Sequence, residues 1–255
     1  MGVIGAGGRM GRAVCAAVRD SHDLELAATV GRGDSLDRLE GVDVAVDFSL
    51  PDVVLDHVEW TLAHGIHTIV GTSGVGSGEH ERIARWCEAA PGVGAHVVPN
   101  FSIAAVMAMK LATDAVCFFQ DVEIVEYAGR HKADAPAGTA AQLAGSLRAA
   151  RDAASLPTDT PSFPQDTATT RGRLVDGIPV HSLRMAGILS RQDVLLTRDH
   201  ELLTIHFESL DRAAFMPGVL LAIREIASRP GLTVGLERLL DAVVPSRPDG
   251  GRRLR

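Results

Sequence analysis

Cysteine is scarce: Cys15, Cys87 and Cys117 are the only three in 255 residues, and they stand far apart. That spacing excludes a disulfide framework and a zinc site built on paired cysteines, and leaves small reduced core residues. The ten histidines show no ligand-like clustering, so no metal is expected. Positive charge is also short, since 25 basic against 32 acidic side chains leave a net −7. No global field then draws the chain to nucleic acid or to an anionic membrane, and any anionic ligand must be met by local groups. No apolar run approaches the roughly 20 residues that a membrane helix needs, and no basic-then-apolar leader precedes the first strand. The expected location is the cytoplasm. No internal repeat or low-complexity tract interrupts the chain. What is present is apolar residue in quantity, 46%, enough for one large domain or two modest ones and too much for a disordered chain.

The first hundred residues alternate strand and helix. Met1 to Ile4 is a short apolar run that meets Gly5-Ala6-Gly7-Gly8-Arg9-Met10-Gly11, followed by a helical pattern through Val14 and Val18. Strand, glycine turn and helix come in the order a dinucleotide site requires, with glycines at spacing three, Gly5, Gly8 and Gly11, rather than in the strict G-x-G-x-x-G template. A second strand, Leu24 to Val30, ends in Gly31 and Arg32 where an NAD enzyme places an acid for the ribose hydroxyl. Arg32 is therefore either a solvated loop residue or the partner of a 2′-phosphate, with Arg9 or Arg12 as helper. Val42 to Phe48 is the next strand, and Ser49 and Pro51 supply an N-cap and first-turn proline for a helix from Asp52 to Ala63. Strand Ile66 to Val70 ends in Gly71-Thr72-Ser73-Gly74; after a helix from Glu79 to Ala90, strand Ala95 to Val98 ends in Pro99-Asn100-Phe101-Ser102. In an open parallel sheet ligands lie at the carboxyl ends of strands, so these ends are expected to line one crevice.

Near Ser102 the pattern changes. A long apolar helix, Ala104 to Val116, and strand Asp121 to Tyr127 lead to a loop and then to strand-like runs at Ile178 to Leu183, Val194 to Thr197 and Leu202 to Phe207. That order predicts a mixed, mostly antiparallel sheet whose apolar strands, short of covering helices, pack on another subunit. Ala153 to Thr170 reads as a long loop or extended arm, Ala213 to Ala227 and Leu236 to Val243 as helices, and the tail from Pro245 as mobile. The fold class is thus α/β, a Rossmann-type doubly wound parallel sheet, with a second α+β substrate and oligomerisation domain on a mixed sheet.

Chemistry is expected in Arg130 to Ala140, Arg-His-Lys-Ala-Asp-Ala-Pro-Ala-Gly-Thr-Ala. Here a strand empties into a loop that opens a helix, and Gly138 and Thr139 at the helix start leave backbone N–H groups free for an anion such as a carboxylate. Arg130 and Lys132 add positive charge. On an ordinary loop Lys132 is a solvated surface charge; beside unpaired amides it fits a proton donor to a developing carbanion. His131 is either a solvated loop residue or the inheritor of an acid role. Tyr127, the only tyrosine, faces away from Ala128 if the strand is regular.

These motifs, Gly5 to Arg12, Gly71 to Gly74, Pro99 to Ser102 and Lys132 to Ala140, occur in one order, together with His181-Ser182-Leu183-Arg184-Met185-Ala186-Gly187 and Phe215-Met216-Pro217-Gly218-Val219. The chain resembles, nearly end to end, the 4-hydroxy-tetrahydrodipicolinate reductase (dihydrodipicolinate reductase) family of diaminopimelate and lysine synthesis. The resemblance implies contacts to the nicotinamide nucleotide from Gly5, Ala6, Gly7, Gly8, Arg9 and Met10, from Gly71, Thr72 and Ser73, and from Pro99, Asn100, Phe101 and Ser102. It makes Lys132 the proton donor, Gly138 and Thr139 the holders of a substrate carboxylate, with Arg130 and His131 beside them, and Arg184 and Arg212 carboxylate candidates by position. It also implies a homotetramer joined through second-domain sheets, and a discontinuous nucleotide domain, 1–102 with 213–255, around a substrate domain, 103–212. Just before Arg130 the family carries two adjacent histidines where this chain has Ala128 and Gly129, which marks an atypical member. The function expected is NAD(P)H-dependent reduction of a small carboxylated cyclic imine or enamine, with NADPH favoured and NADH possible. The alternatives are a paralogue acting on another cyclic imine or enamine acid, and a non-catalytic nucleotide-binding protein.

Overall fold

The computed structural model describes residues 1–72, 74–156 and 170–243. Ser73, most of the stretch expected as a loop or arm between Ala153 and Thr170, and the tail from Pro245 lie outside these residues. The chain divides into two units: Met1–Phe101 with the chain from Met216 onward, and Ser102–Phe215.

The first unit begins β1 (Gly2–Ile4), α1 (Arg9–Arg19), β2 (Ala28–Val30), β3 (Val44–Asp47), α2 (Val54–Ala63), β4 (His67–Val70), α3 (Ser77–Ala89) and β5 (Gly94–Val97). Every residue of β1, β3 and β5 is buried, as in a parallel sheet covered on both faces. Helix α1 buries Gly11, Val14, Cys15 and Val18, the i, i+3, i+4, i+7 stripe of an amphipathic helix. Strand β2 is shorter than the Leu24 to Val30 expected. Its partner β1 has only three residues, which register with Ala28, Thr29 and Val30.

The second unit contains α4 (Ile103–Ala115), β6 (Asp121–Gly129), α5 (Gly138–Ala153), β7 (Arg173–Val175), β8 (Ile178–Met185), β9 (Ser190–Arg198) and β10 (Glu201–Ser209). Its sheet runs β10-β9-β6-β8-β7, with β6 and β8 parallel and the other neighbours antiparallel. Buried residues alternate along β6, so that Val122, Ile124, Glu126 and Ala128 share the buried face. Val122 and Ile124 pack with Leu143 and Leu147 of α5 and with Val180, Val194 and Leu196. On β10 the side opposite Phe207 and Ser209 leaves Leu202, His206 and Glu208 exposed.

The chain returns to the first unit through α6 (Met216–Glu225), β11 (Gly231–Val234) and α7 (Glu237–Val243). The continuous helix expected from Ala213 to Ala227 is instead a 3-10 turn at Arg212–Phe215, α6, and a second 3-10 turn at Ile226–Ser228. Pro217 accounts for the first break, because its ring excludes the carbonyl four residues earlier and fits only the first turn of a helix. Strands β7 and β11, of three and four residues, are too short to show an alternation and are not anticipated by the sequence. Strand β11 completes a six-stranded parallel sheet of order β11-β5-β4-β3-β1-β2, which reverses direction beside β1. Among the described residues no helix is long and apolar enough to cross a membrane.

Candidate functional site

In the first unit the loops after β1, β3, β4 and β5 meet around Phe48. Gly5 has φ +74°, and a Cβ there would overlap the Phe48 carbonyl; a Cβ on Gly71 would overlap the Phe48 ring. The Phe48 and Phe101 rings stand 5.5 Å apart. Gly11 is pressed against the Gly5 carbonyl, which brings α1 onto the turn, whereas Gly7 opens on free space. Helix α1 is N-capped by Gly8 with no side-chain cap, so its first amides face outward beside the exposed Gly7, Gly8 and Arg9, with Met10 half-buried. An uncapped helix start behind a tight glycine turn can accept an anionic group. Arg12 donates to the Gly7 carbonyl at 2.5 Å, so it also fixes the turn.

Beneath these loops lies Asp47, fully buried. Its carboxylate accepts from the Ser49 N–H at 2.6 Å and the Thr72 hydroxyl at 3.2 Å, and meets His57 Nδ1 at 2.7 Å. Ser49 thus does not cap α2 as expected. Val53 stands at the cap position, and the Ser49 hydroxyl lies 3.3 Å from His57 Nδ1. At the end of β2, Arg32 is exposed, and the Asp34 carboxylate returns to accept the Gly31 N–H at 2.8 Å. That bond, with the charge of Arg38 at 3.1 Å, holds the Asp34 carboxyl below its ordinary range. An acid therefore does stand at this strand end, three residues later than Gly31. Of the remaining expected nucleotide contacts, Ala6 and Asn100 are half-buried, Pro99 is exposed, and Ser73 falls outside the described residues. Ser102 belongs to the second unit and caps α4, accepting the Ala105 N–H at 3.2 Å.

In the second unit the loop from Arg130 to Ala137 opens α5 as expected. Ala137 is the N-cap without a side-chain bond; Ala140 and Ala141 donate back to the Ala137 carbonyl, while the Gly138 and Thr139 amides precede the helical ladder. Arg130, His131 and Lys132 are exposed. Lys132 Nζ is 2.7 Å from Asp134 Oδ1. Partial burial works to raise the Asp134 carboxyl, but the hydrogen bond and charge of Lys132 outweigh it and keep the carboxylate ionised below its usual range. Arg184 is no free carboxylate binder. It donates from Nη2 to Glu126 at 2.7 Å and to the Asp134 carbonyl at 2.5 Å, and from Nη1 to the Leu183 carbonyl at 2.9 Å. Tyr127 faces away from Ala128 and lies under the Arg191 guanidinium, 4.5 Å from its ring centre, where burial and then Asp193 raise its hydroxyl pKa. His181 meets Glu123 at 2.9 Å and His206 meets Asp193 at 2.5 Å, which makes both sheet residues rather than loop acids. Among the described residues no group of three or more His, Cys, Asp or Glu is placed to hold a metal.

Sequence reasoning missed Asp47, Phe48, His57, Asp34, Glu126 and Asp134. For Asp47 and Glu126 a signal was available, because each puts a carboxylate at an inward position of an apolar strand, where burial demands partners. The others depend on contacts between distant elements or on a loop folding back.

Residues 1–101 match the family described as "Dihydrodipicolinate reductase, N-terminus", and residues 100–240 match "Dihydrodipicolinate reductase, C-terminus". The 4-hydroxy-tetrahydrodipicolinate reductase of Nocardia farcinica is 45% identical over 243 residues, 94% of this chain and 98% of that protein. That of Beutenbergia cavernae is 46% identical over 244 residues, 94% of this chain and 97% of that protein. Among solved structures, dipicolinate-bound dihydrodipicolinate reductase from Paenisporosarcina sp. TG-14 aligns with a TM-score of 0.79 at 28% identity, covering 93% of this chain and 97% of that one.

Proposed function

The chain belongs to the dihydrodipicolinate reductase family, and from that premise we propose that it reduces a cyclic imine or enamine bearing two carboxylates, of the 4-hydroxy-tetrahydrodipicolinate kind, with a nicotinamide nucleotide. The observation that carries the reading is the loop before α5, where Lys132 precedes an uncapped helix start. The nucleotide, when bound, supplies a hydride to a ring carbon. The first unit fits it: Gly5 and Gly11 permit a close turn, Gly7 leaves space, and the uncapped start of α1 leaves amides that would take a pyrophosphate. In the second unit the Gly138 and Thr139 N–H groups hold a carboxylate, and Lys132 releases Asp134 to give the ring the proton that balances the hydride. NADPH is used at least as well as NADH, since Arg32 is exposed at the end of β2 and Asp34 is turned toward Gly31. The protein assembles as a homotetramer through the sheet face that exposes Leu202; a monomer in sedimentation at micromolar concentration contradicts this.

The test is a coupled assay with freshly generated dihydrodipicolinate, read as loss of nicotinamide absorbance. Turnover on the order of 10 per second is expected. Nucleotide binding without turnover on any cyclic imine contradicts the reading and leaves a non-catalytic binder. A second reading, a paralogue acting on a related cyclic imine or enamine acid, is favoured by the end of β6, where Ala128 is buried and Gly129 presents no side chain. Turnover of dihydrodipicolinate far below that of another cyclic imine distinguishes it.

A further inference from the structure

We propose that Glu126 and Arg184 form a positioning pair, setting the affinity for a dicarboxylate by bracing the loop that carries Lys132 without touching the ligand. The inference rests on the function proposed above and names residues that act through that site.

Glu126 sits on the buried face of β6, 2% exposed, in line with Val122, Ile124 and Ala128. A carboxylate there must be paired and hydrogen-bonded. Its Oε1 takes the Arg184 Nη2–H at 2.7 Å and the Ala137 N–H at 3.2 Å. Arg184 comes from β8, which pairs with β6 in parallel so that Ala128 stands opposite Arg184. The same guanidinium nitrogen reaches the Asp134 carbonyl at 2.5 Å, while Nη1 is fixed by the Leu183 carbonyl. One ion pair therefore grips the main chain at two points, Asp134 and Ala137, within the segment between Lys132 and Gly138.

A pair placed only for stability gains nothing by holding loop backbone, and apolar residues of similar volume serve that purpose as well. The apolar cluster of Ile124, Leu143, Leu147, Val180 and Val194 already joins β6, β8, β9 and α5. The pair acts on the loop instead. Holding the Asp134 main chain places the carboxylate that carries Lys132 Nζ at 2.7 Å, and holding Ala137 sets the N-cap from which the Gly138 and Thr139 amides project. Nη2 serves carboxylate and carbonyl together only because Nη1 is held by the Leu183 carbonyl; a lysine ammonium, one bond shorter and without a second nitrogen, cannot span all three acceptors.

The test compares Arg184→Lys with wild type in the full-length enzyme. The lysine keeps the charge and a bond to Glu126 but gives up the Asp134 carbonyl. Expected are a melting temperature near that of wild type, faster hydrogen exchange at the amides of residues 132–137, and a rise of about 10-fold or more in KM for the dicarboxylate and in Kd for dipicolinate, the weight of one charge-assisted hydrogen bond. KM for NADPH stays within about 2-fold, as no nucleotide contact is lost. Should Arg184→Lys not fold, Glu126→Gln, which retains an acceptor for the Ala137 amide, is expected to show the same split. Folded variants with wild-type dicarboxylate KM, dipicolinate Kd and loop exchange overturn the proposal. Equal weakening of NADPH also overturns it, by showing a general structural role. A wild-type enzyme that neither binds dipicolinate nor reduces its dihydro form contradicts the function proposed above, and amide exchange in the variants then decides for or against the brace by itself.

Discussion

The two units fix their loops by opposite physics. In the first, glycine backbone packs against Phe48, whose ring is paired with Phe101, with Asp47 tied in below. In the second, the loop before α5 is held by charge, through Glu126 with Arg184 and Lys132 with Asp134. Packing of backbone on backbone is intolerant of volume and indifferent to charge, whereas an ion-pair brace tolerates shape and fails when one charge is removed. The turn after β1 should therefore break with the addition of one methyl group, and the loop before α5 with the loss of one charge.

The largest effect is expected from Gly11→Ala. The new Cβ overlaps the Gly5 carbonyl and part of Ala6, all of it backbone that has no room to move. Overpacking of this kind costs about 1 to 3 kcal/mol and occasionally more, and thermal unfolding together with NADPH fluorescence titration should show both a lower Tm and lost nucleotide affinity. Gly7→Ala, whose Cβ enters open space, serves as the contrast and should retain its Tm. Equal damage from the two variants removes the distinction between pressed and open glycines.

A second prediction concerns a buried group that neither site uses. His96 of β5 is fully buried, and neither ring nitrogen has a hydrogen-bond partner among the described residues. Burial first, and then the charge of Arg229, lower its pKa to about 4. The fold thus keeps the ring neutral while the unfolded chain takes up a proton below about pH 6.5, so stability is independent of this group above that pH. Stability then falls as pH drops toward 4, by about 3 kcal/mol over the window. His96→Leu should flatten that slope in urea titrations at pH 7.5 and 4.5. A slope unchanged by the substitution would show that His96 is not the group responsible.

The smallest effect is expected from Arg32→Ala. Removing a charge-assisted contact to the 2′-phosphate should weaken NADPH by about 10-fold and leave NADH nearly unchanged. A preference for NADH in wild type that persists in the variant assigns the specificity to Asp34 instead.

How much the sequence revealed follows the same division. Gly5, Gly8 and Gly11 announce the tight turn after β1 because the local chain itself must bend there, and Val14 and Val18 show which face of α1 is buried. The loop before α5 is legible for a similar reason, since the Gly138-Thr139 pair marks a helix start that leaves amides free. The braces are not legible in this way. Arg184 lies 58 residues from Glu126 and meets it only because β8 pairs with β6. Asp34 becomes an acid at the end of β2 only because its side chain turns back to Gly31. Local pattern finds the groups that a segment needs for its own geometry, and it is silent on those recruited from another strand.

Under the proposed function, nucleotide and acid meet separate machinery: a turn shaped by packed backbone, and a loop shaped by ion pairs. The most direct test is to titrate NADPH, and then dipicolinate in the presence of saturating NADPH, into Lys132→Ala by calorimetry, with turnover followed on the same preparations. The expected result is NADPH affinity within about 2-fold of wild type, dipicolinate weakened by about 10-fold or more, and turnover lowered by roughly 10²- to 10⁴-fold, the range for a lost general acid. NADPH and dipicolinate weakening together, or turnover that survives the loss of Lys132, would contradict it.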